Sequence, residues 1–262
     1  MIVSVSPEML EILLPALVAG LAIAVTHAPL GLEVLRRGII FIDLAIAQIA
    51  GLGLVVMELY WPGAAGWMLQ AVALGCALGA SLLFHWTERR LPAQQEALIG
   101  SSFVLAASLA LLLLADHPHG GEAIQHLLSG QLLFVGWNEL GLALPVYGLV
   151  LLAWFARPRW RGGMGFYLLF ALAVTASVQL AGVYVVFASL ILPALAAAAW
   201  PGRALAVAWT SAAVAILAGL MAALWYDWPA GPVLVVSYAL VALLATVPRW
   251  RRTRPAPSAR AR

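Results

Sequence analysis

RRGIIFIDLAIAQIAGLGLVV, residues 36–56, opens on two arginines and then runs almost wholly apolar, with one carboxylate, Asp43, and one amide, Gln48. The run is as long as the ~20 residues an α-helix needs to cross a bilayer. An aspartate on a helix in water needs no explanation, because such a helix has a wet face. In hydrocarbon an ionisable side chain is expensive and calls for a partner, a cavity or a task. The solvent of this segment therefore decides both the fold and the meaning of Asp43. Of the 262 residues, 64% are hydrophobic and 10% charged, with a mean hydropathy of +1.00. Soluble domains carry about 25% charged residues. The chain reads as an all-α, polytopic integral membrane protein, and soluble enzyme or binding-domain classes are excluded.

The basic residues set the topology. All fourteen are arginines, at 36 and 37, 89 and 90, 157, 159 and 161, 203, and from 249 to 262. Apolar stretches long enough for two crossings separate the clusters, and between Arg37 and Arg89 the Glu58–Gly66 stretch supplies the intervening turn. Every cluster thus falls on one side, which the positive-inside rule makes cytoplasmic. The net charge of +3 is this topology signal and no nucleic-acid footprint. Spans are predicted at 8–28, 38–58, 67–86, 97–115, 139–156, 164–181, 183–199, 204–226 and 233–248, about nine in all and between eight and ten. The N-terminus is then outside and the C-terminus cytoplasmic. The pair 164–181 and 183–199 leaves only Gln179–Gly182 for a turn. Residues 1–248 form a single transmembrane domain, and the Pro- and Arg-rich residues 249–262 are expected to be a disordered, solvated basic tail. The first apolar segment lacks a basic n-region and follows Glu8 and Glu11, which argues against a cleaved signal peptide. Cys76, the one cysteine, can form no intrachain disulfide and suits a small apolar core position.

Three stretches go further. PLGLEVLRRGIIFIDLAIAQIAGLG (29–53) leads from a turn-forming Pro-Leu-Gly through a short amphipathic piece to the arginines and Asp43. LAGVYVVFASLILPALAAAA (180–199) carries Gly182 and Pro193. WYDWPAGPVLVV (225–236) reads as a turn in which Pro229 and Pro232 stop one helix and start the next, with Gly231 free in φ between them. Together with GQLLFVGWNEL (130–140), these resemble the permease subunits of bacterial ATP-driven zinc and manganese importers, the metal ABC transporter permease family. The resemblance runs over most of the chain in order, and YDWPAGP is its most specific part. It implies a subunit of the bacterial inner membrane that moves a divalent metal ion, with zinc expected first, through a homodimer in the lipid bilayer. It further implies a separate ABC ATPase and a periplasmic metal-binding protein as partners. No cofactor is expected to be permanently bound, and the metal is cargo. No GxxxxGK[ST] motif occurs, so ATP hydrolysis falls to another subunit and the chain is no enzyme itself.

The resemblance places Asp43 on the ion path, about 9 Å beyond Arg37 if the helix is continuous at 1.5 Å per residue. A carboxylate there is an oxygen ligand for a divalent cation; the alternative is an aspartate capping a helix or bonded to a hydroxyl. The family's histidine four residues on would share one helical face with the aspartate. Here that position is Ala47, and the nearest polar side chain is Gln48, a weaker ligand. His27 either faces the path or snorkels at the interface. In ADHPHGGEAIQHLL (115–128), His117, His119, Glu122 and His126 gather on the side from which metal would arrive; an ordinary hydrated loop would look the same. The family's long cytoplasmic segment for docking the ATPase is reduced here to RPRWRGG, residues 157–163. Coupling would then use residues 88–100 or 200–203, or the chain is a permease-like component without conventional coupling. An intramembrane enzyme is the reading from another class, and it lacks support: Ser101, Ser102 and Ser108 have no histidine nearby in sequence, and no HExxH occurs.

Overall fold

The computed structural model describes residues 7–115, 130 and 132–252. Eight α-helices make up nearly all of that: α1 Pro7–Arg37, α2 Ile42–Tyr60, α3 Gly66–Arg90, α4 Gln95–Leu114, α5 Trp137–Ala156, α6 Gly163–Ala198, α7 Ala204–Tyr226 and α8 Ala230–Arg252. Among the described residues seven helices, α1 to α7, are long and apolar enough to cross a membrane, and α8 holds a shorter apolar stretch, Ala230–Thr246. Leu105, Leu112, Leu142, Leu152, Leu243 and Leu244 point out of the bundle, more than half exposed, as side chains facing lipid do.

The most buried helix is α6, which touches α1, α2, α3, α5, α7 and α8. Its 36 residues would be about 54 Å long if straight, far more than a ~30 Å hydrocarbon core needs. They are not straight. Gly182 has φ 77° and ψ 164°, a conformation essentially reserved for glycine. Ser177 and Ser189 hydrogen-bond opposite nitrogens of one imidazole, His27, at 2.9 and 2.7 Å. An imidazole is too small to bridge the ~18 Å that twelve helical residues would put between them, so the chain bends sharply at Gly182. The break in α6 falls on Gly182, within the Gln179–Gly182 stretch where a turn is predicted. Gly130, at φ 59°, packs onto the Ala181–Gly182 peptide so closely that a Cβ would lie 2.2 Å from the Ala181 carbonyl. That contact ties the 130–140 stretch to the bend.

At the other end of the bundle the arginine clusters converge. Arg37 donates to Glu33 at 2.7 Å, to Glu88 at 3.0 Å and to the Arg161 carbonyl at 3.2 Å, and lies over the Phe166 ring at 4.2 Å. One guanidinium thus joins the ends of α1 and α3, the 157–162 connection and the start of α6. The connections beginning Leu91-Pro92, Arg157-Pro158 and Trp200-Pro201 each start with proline in a short 3₁₀ turn, where its missing N–H costs nothing.

Three local expectations change. Pro29 does not end the first helix, which continues to Arg37. Proline cannot donate to the carbonyl four residues back, but the indole N–H of Trp209 reaches that Val25 carbonyl at 3.0 Å in its place. Gly31 lies where a Cβ would be 2.0 Å from the Leu190 carbonyl, so the glycine of Pro-Leu-Gly serves helix packing and not a turn. In YDWPAGP the left-handed residue is Asp227 (φ 54°), with the Trp228 N–H closing onto the Ala223 carbonyl at 3.0 Å. Gly231 is already within α8.

Candidate functional site

Asp43 lies in the first turn of α2. The chain leaves helical geometry between Arg37 and Ile42, with Gly38 at φ 71°, so the 9 Å depth expected of a continuous helix does not apply. Asp43 stands beside the turn at the arginine end, yet is only 1% exposed. Neither carboxylate oxygen has a hydrogen-bond partner among the described residues. The backbone amides of Asp43 and Leu44 lie near it without reaching hydrogen-bond geometry. The start of a helix is the favourable end of its dipole for an anion, and this field is the local reason a carboxylate is tolerated there.

From α4, Glu96 meets the same turn. Its Oε1 accepts the Phe41 N–H at 3.3 Å, while its Oε2 is buried without a partner. Nothing in the sequence singles out Glu96, which sits at a helix start where acids are common. Only the packing of α4 on α2 brings it to the turn that precedes Asp43.

Ala47, one turn beyond Asp43, lines a cavity of ≈ 310 Å³ with Gly51, Thr175, Gln179 and Glu139. Gln48 is buried and lines a different, larger cavity of ≈ 730 Å³, with Leu44, Glu58, Phe103, Phe187 and Val235. Asp43 is among the lining residues of neither cavity. Five residues at 100° each set Gln48 well around the helix from Asp43. His117, His119, Glu122 and His126 lie outside the described residues. Among those described, no group of three or more His, Cys, Asp or Glu residues is placed to hold a metal ion.

His27 neither snorkels nor reaches the interface. It is fully buried, both ring nitrogens engaged by Ser177 and Ser189, and the Tyr147 hydroxyl joins Ser177 at 2.8 Å. It ties α1, α5 and the two arms of α6. Its partners are 150 and 162 residues away, beyond what sequence spacing reveals.

A sequence profile of the ABC 3 transport family matches residues 9–160 and 163–249, interrupted inside the short 157–162 connection. No curated protein matches the chain. Among solved structures, PsaBC from Streptococcus pneumoniae in complex with Fab is similar, at a TM-score of 0.70 and 19% identity over 90% of this chain and 91% of that one. A metal-chelate type ABC transporter in an inward-facing conformation gives 0.66 and 15% over 96% and 91%. These likenesses show the shared helical architecture, and the profile spans nearly the whole chain. The chain belongs to the ABC 3 transport family, the metal ABC transporter permeases.

Proposed function

We propose that the chain is the membrane-spanning subunit of an ATP-driven importer of a divalent metal ion, working as a homodimer with a separate ATPase and a soluble metal-binding protein. The observation that carries this is Asp43, a carboxylate at 1% exposure with no hydrogen-bond partner among the described residues, in a chain of a metal-permease family. An uncompensated buried charge is costly and is explained if a cation passes it. The sharp bend at Gly182 supports counting α6 as two crossings, which with α8 makes nine, N-terminus outside and arginine end in the cytoplasm of a bacterial inner membrane. The ≈ 730 Å³ cavity lined by Gln48 and Glu58 lies between α2, α4, α6 and α8, where a second copy would complete a shared path. Zinc is the family expectation, although the imidazole that suits it is absent at Ala47.

Asp43→Asn tests the reading, since it keeps the shape and removes the charge. Metal uptake into proteoliposomes carrying the full transporter should fall at least about tenfold while the subunit still assembles. Near-normal uptake would remove Asp43 from the ion path. One observation favours a second reading, a permease-like component without conventional coupling. The 157–162 connection is short and fastened, by Arg37 to the Arg161 carbonyl and by Arg161 to the Trp154 carbonyl. Failure of the chain to co-purify with any ATPase would favour it.

A further inference from the structure

Three buried carboxylate oxygens at the turn into α2 have no hydrogen-bond partner among the described residues: both of Asp43 and Oε2 of Glu96. The bond from the Phe41 N–H to Glu96 Oε1, at 3.3 Å, fixes α4 against the residue two before Asp43. The arginines just before this turn are committed elsewhere, Arg36 to Glu33 and Arg37 to Glu33, Glu88 and the Arg161 carbonyl. Two carboxylates are therefore held near each other in an apolar bundle with no counter-cation among the described residues. A site of that kind is built to receive positive charge. Beside it, Phe41, Glu96, Gly100, Ser101 and Ser108 line a groove of ≈ 870 Å³ on the surface of the bundle.

We infer that Glu96 is the second ligand of a divalent-cation site with Asp43, supplying from α4 the donor that Ala47 lacks on α2. The inference rests on the reading of Asp43 as a path residue and names its cargo class. Two carboxylates fill roughly two to four of the six positions of a hard divalent ion, which keeps water in the rest. An oxygen-only donor set suits Mn²⁺ better than Zn²⁺, which favours nitrogen and sulfur ligands. The competing role for Glu96 is a cap on the 38–41 turn alone. Glutamine separates the two, because its carbonyl oxygen still accepts the Phe41 N–H but its charge is gone.

The experiment is a Mn²⁺ titration of the full chain in nanodiscs, following free Mn²⁺ by electron paramagnetic resonance. Glu96→Gln and Asp43→Asn should each weaken binding by at least about tenfold, and the double variant should be little worse than either single one, since a shared site is lost once. Ala47→His should raise affinity for Zn²⁺ relative to Mn²⁺. If Glu96→Gln binds within about twofold of the parent while Asp43→Asn does not, the inference fails and the path reading of Asp43 stands. If both bind like the parent, the path reading fails with it. Should Glu96→Gln not fold, the waters on Mn²⁺ bound to the unmodified chain decide, counted by deuterium modulation. Roughly two to four support the pair, and five or six, leaving room for at most one carboxylate oxygen, overturn it.

Discussion

Arg37 shows how one side chain can serve topology and packing together. In sequence it is half of an arginine pair that marks a membrane side. In the fold it is 11% exposed and satisfies Glu33, Glu88 and the Arg161 carbonyl at once, while Arg36 stays in solvent on Glu33. Arg37→Met removes the guanidinium from the Phe166 ring and takes the donor from Glu88 and the Arg161 carbonyl. Thermal unfolding in detergent should show a loss of about 1–3 kcal/mol, the cost of leaving such partners unpaired; Arg36→Met should cost well under half of that, because exposed pairs contribute little. Negligible losses for both would mean that the two arginines act only as topology markers. The difference between them was not legible in the sequence, since both stand in one dipeptide and only the arrival of α3 and the 157–162 connection distinguishes them. Asp43 was legible as an anomaly, a charge in an apolar run. Glu96 was not, because its relation to Asp43 exists only across the α2–α4 contact.

Among the helices, the sequence located most cores well and misjudged ends wherever a distant residue repaired a break. The predicted spans at 97–115, 139–156 and 204–226 lie close to α4, α5 and α7, because their apolar runs are bounded by proline, glycine or charge. Pro29 looked like a boundary, and it would be one without the Trp209 indole on the Val25 carbonyl, a contact 184 residues distant in sequence. Gly182 was legible as a turn and Gly130 was not legible as its support. These glycines predict different failures. Gly182→Ala forces a side chain into the glycine-only backbone region, at about 1–3 kcal/mol. Gly130→Ala adds a left-handed penalty to a direct clash with the Ala181 carbonyl, and overpacking costs about 1–3 kcal/mol by itself. Both variants should melt earlier than the parent in detergent, whereas Gly202→Ala, with open space around it, should not. An unchanged melting point for Gly182→Ala would show that the bend does not depend on that residue's conformation.

Across the whole molecule, the two ends are chemically distinct. The helix ends opposite the arginines carry exposed Tyr60, Trp61, Trp67, Trp137, Trp225 and Trp228, the aromatic composition of a membrane–water interface. The arginine end is proposed to face the cytoplasm, and α6 is proposed to cross twice. Both claims can be tested together by single cysteines in a Cys76→Ser background, probed with a reagent that cannot cross the membrane. Arg159 and Gly202 flank α6 on either side and Pro229 lies in the turn before α8, all three exposed. If α6 doubles back across the bilayer, Arg159→Cys and Gly202→Cys lie on the same side and Pro229→Cys on the other. The reagent applied from outside should then label only Pro229→Cys, and all three after the membrane is opened. Labelling of Gly202→Cys with Arg159→Cys protected would make α6 a single crossing and remove the ninth span. Labelling of Arg159→Cys and Gly202→Cys with Pro229→Cys protected would keep the fold and invert it. In that case the arginines would face outward, and an ATPase would have to meet the aromatic end, whose exposed side chains are those of an interface buried in headgroups.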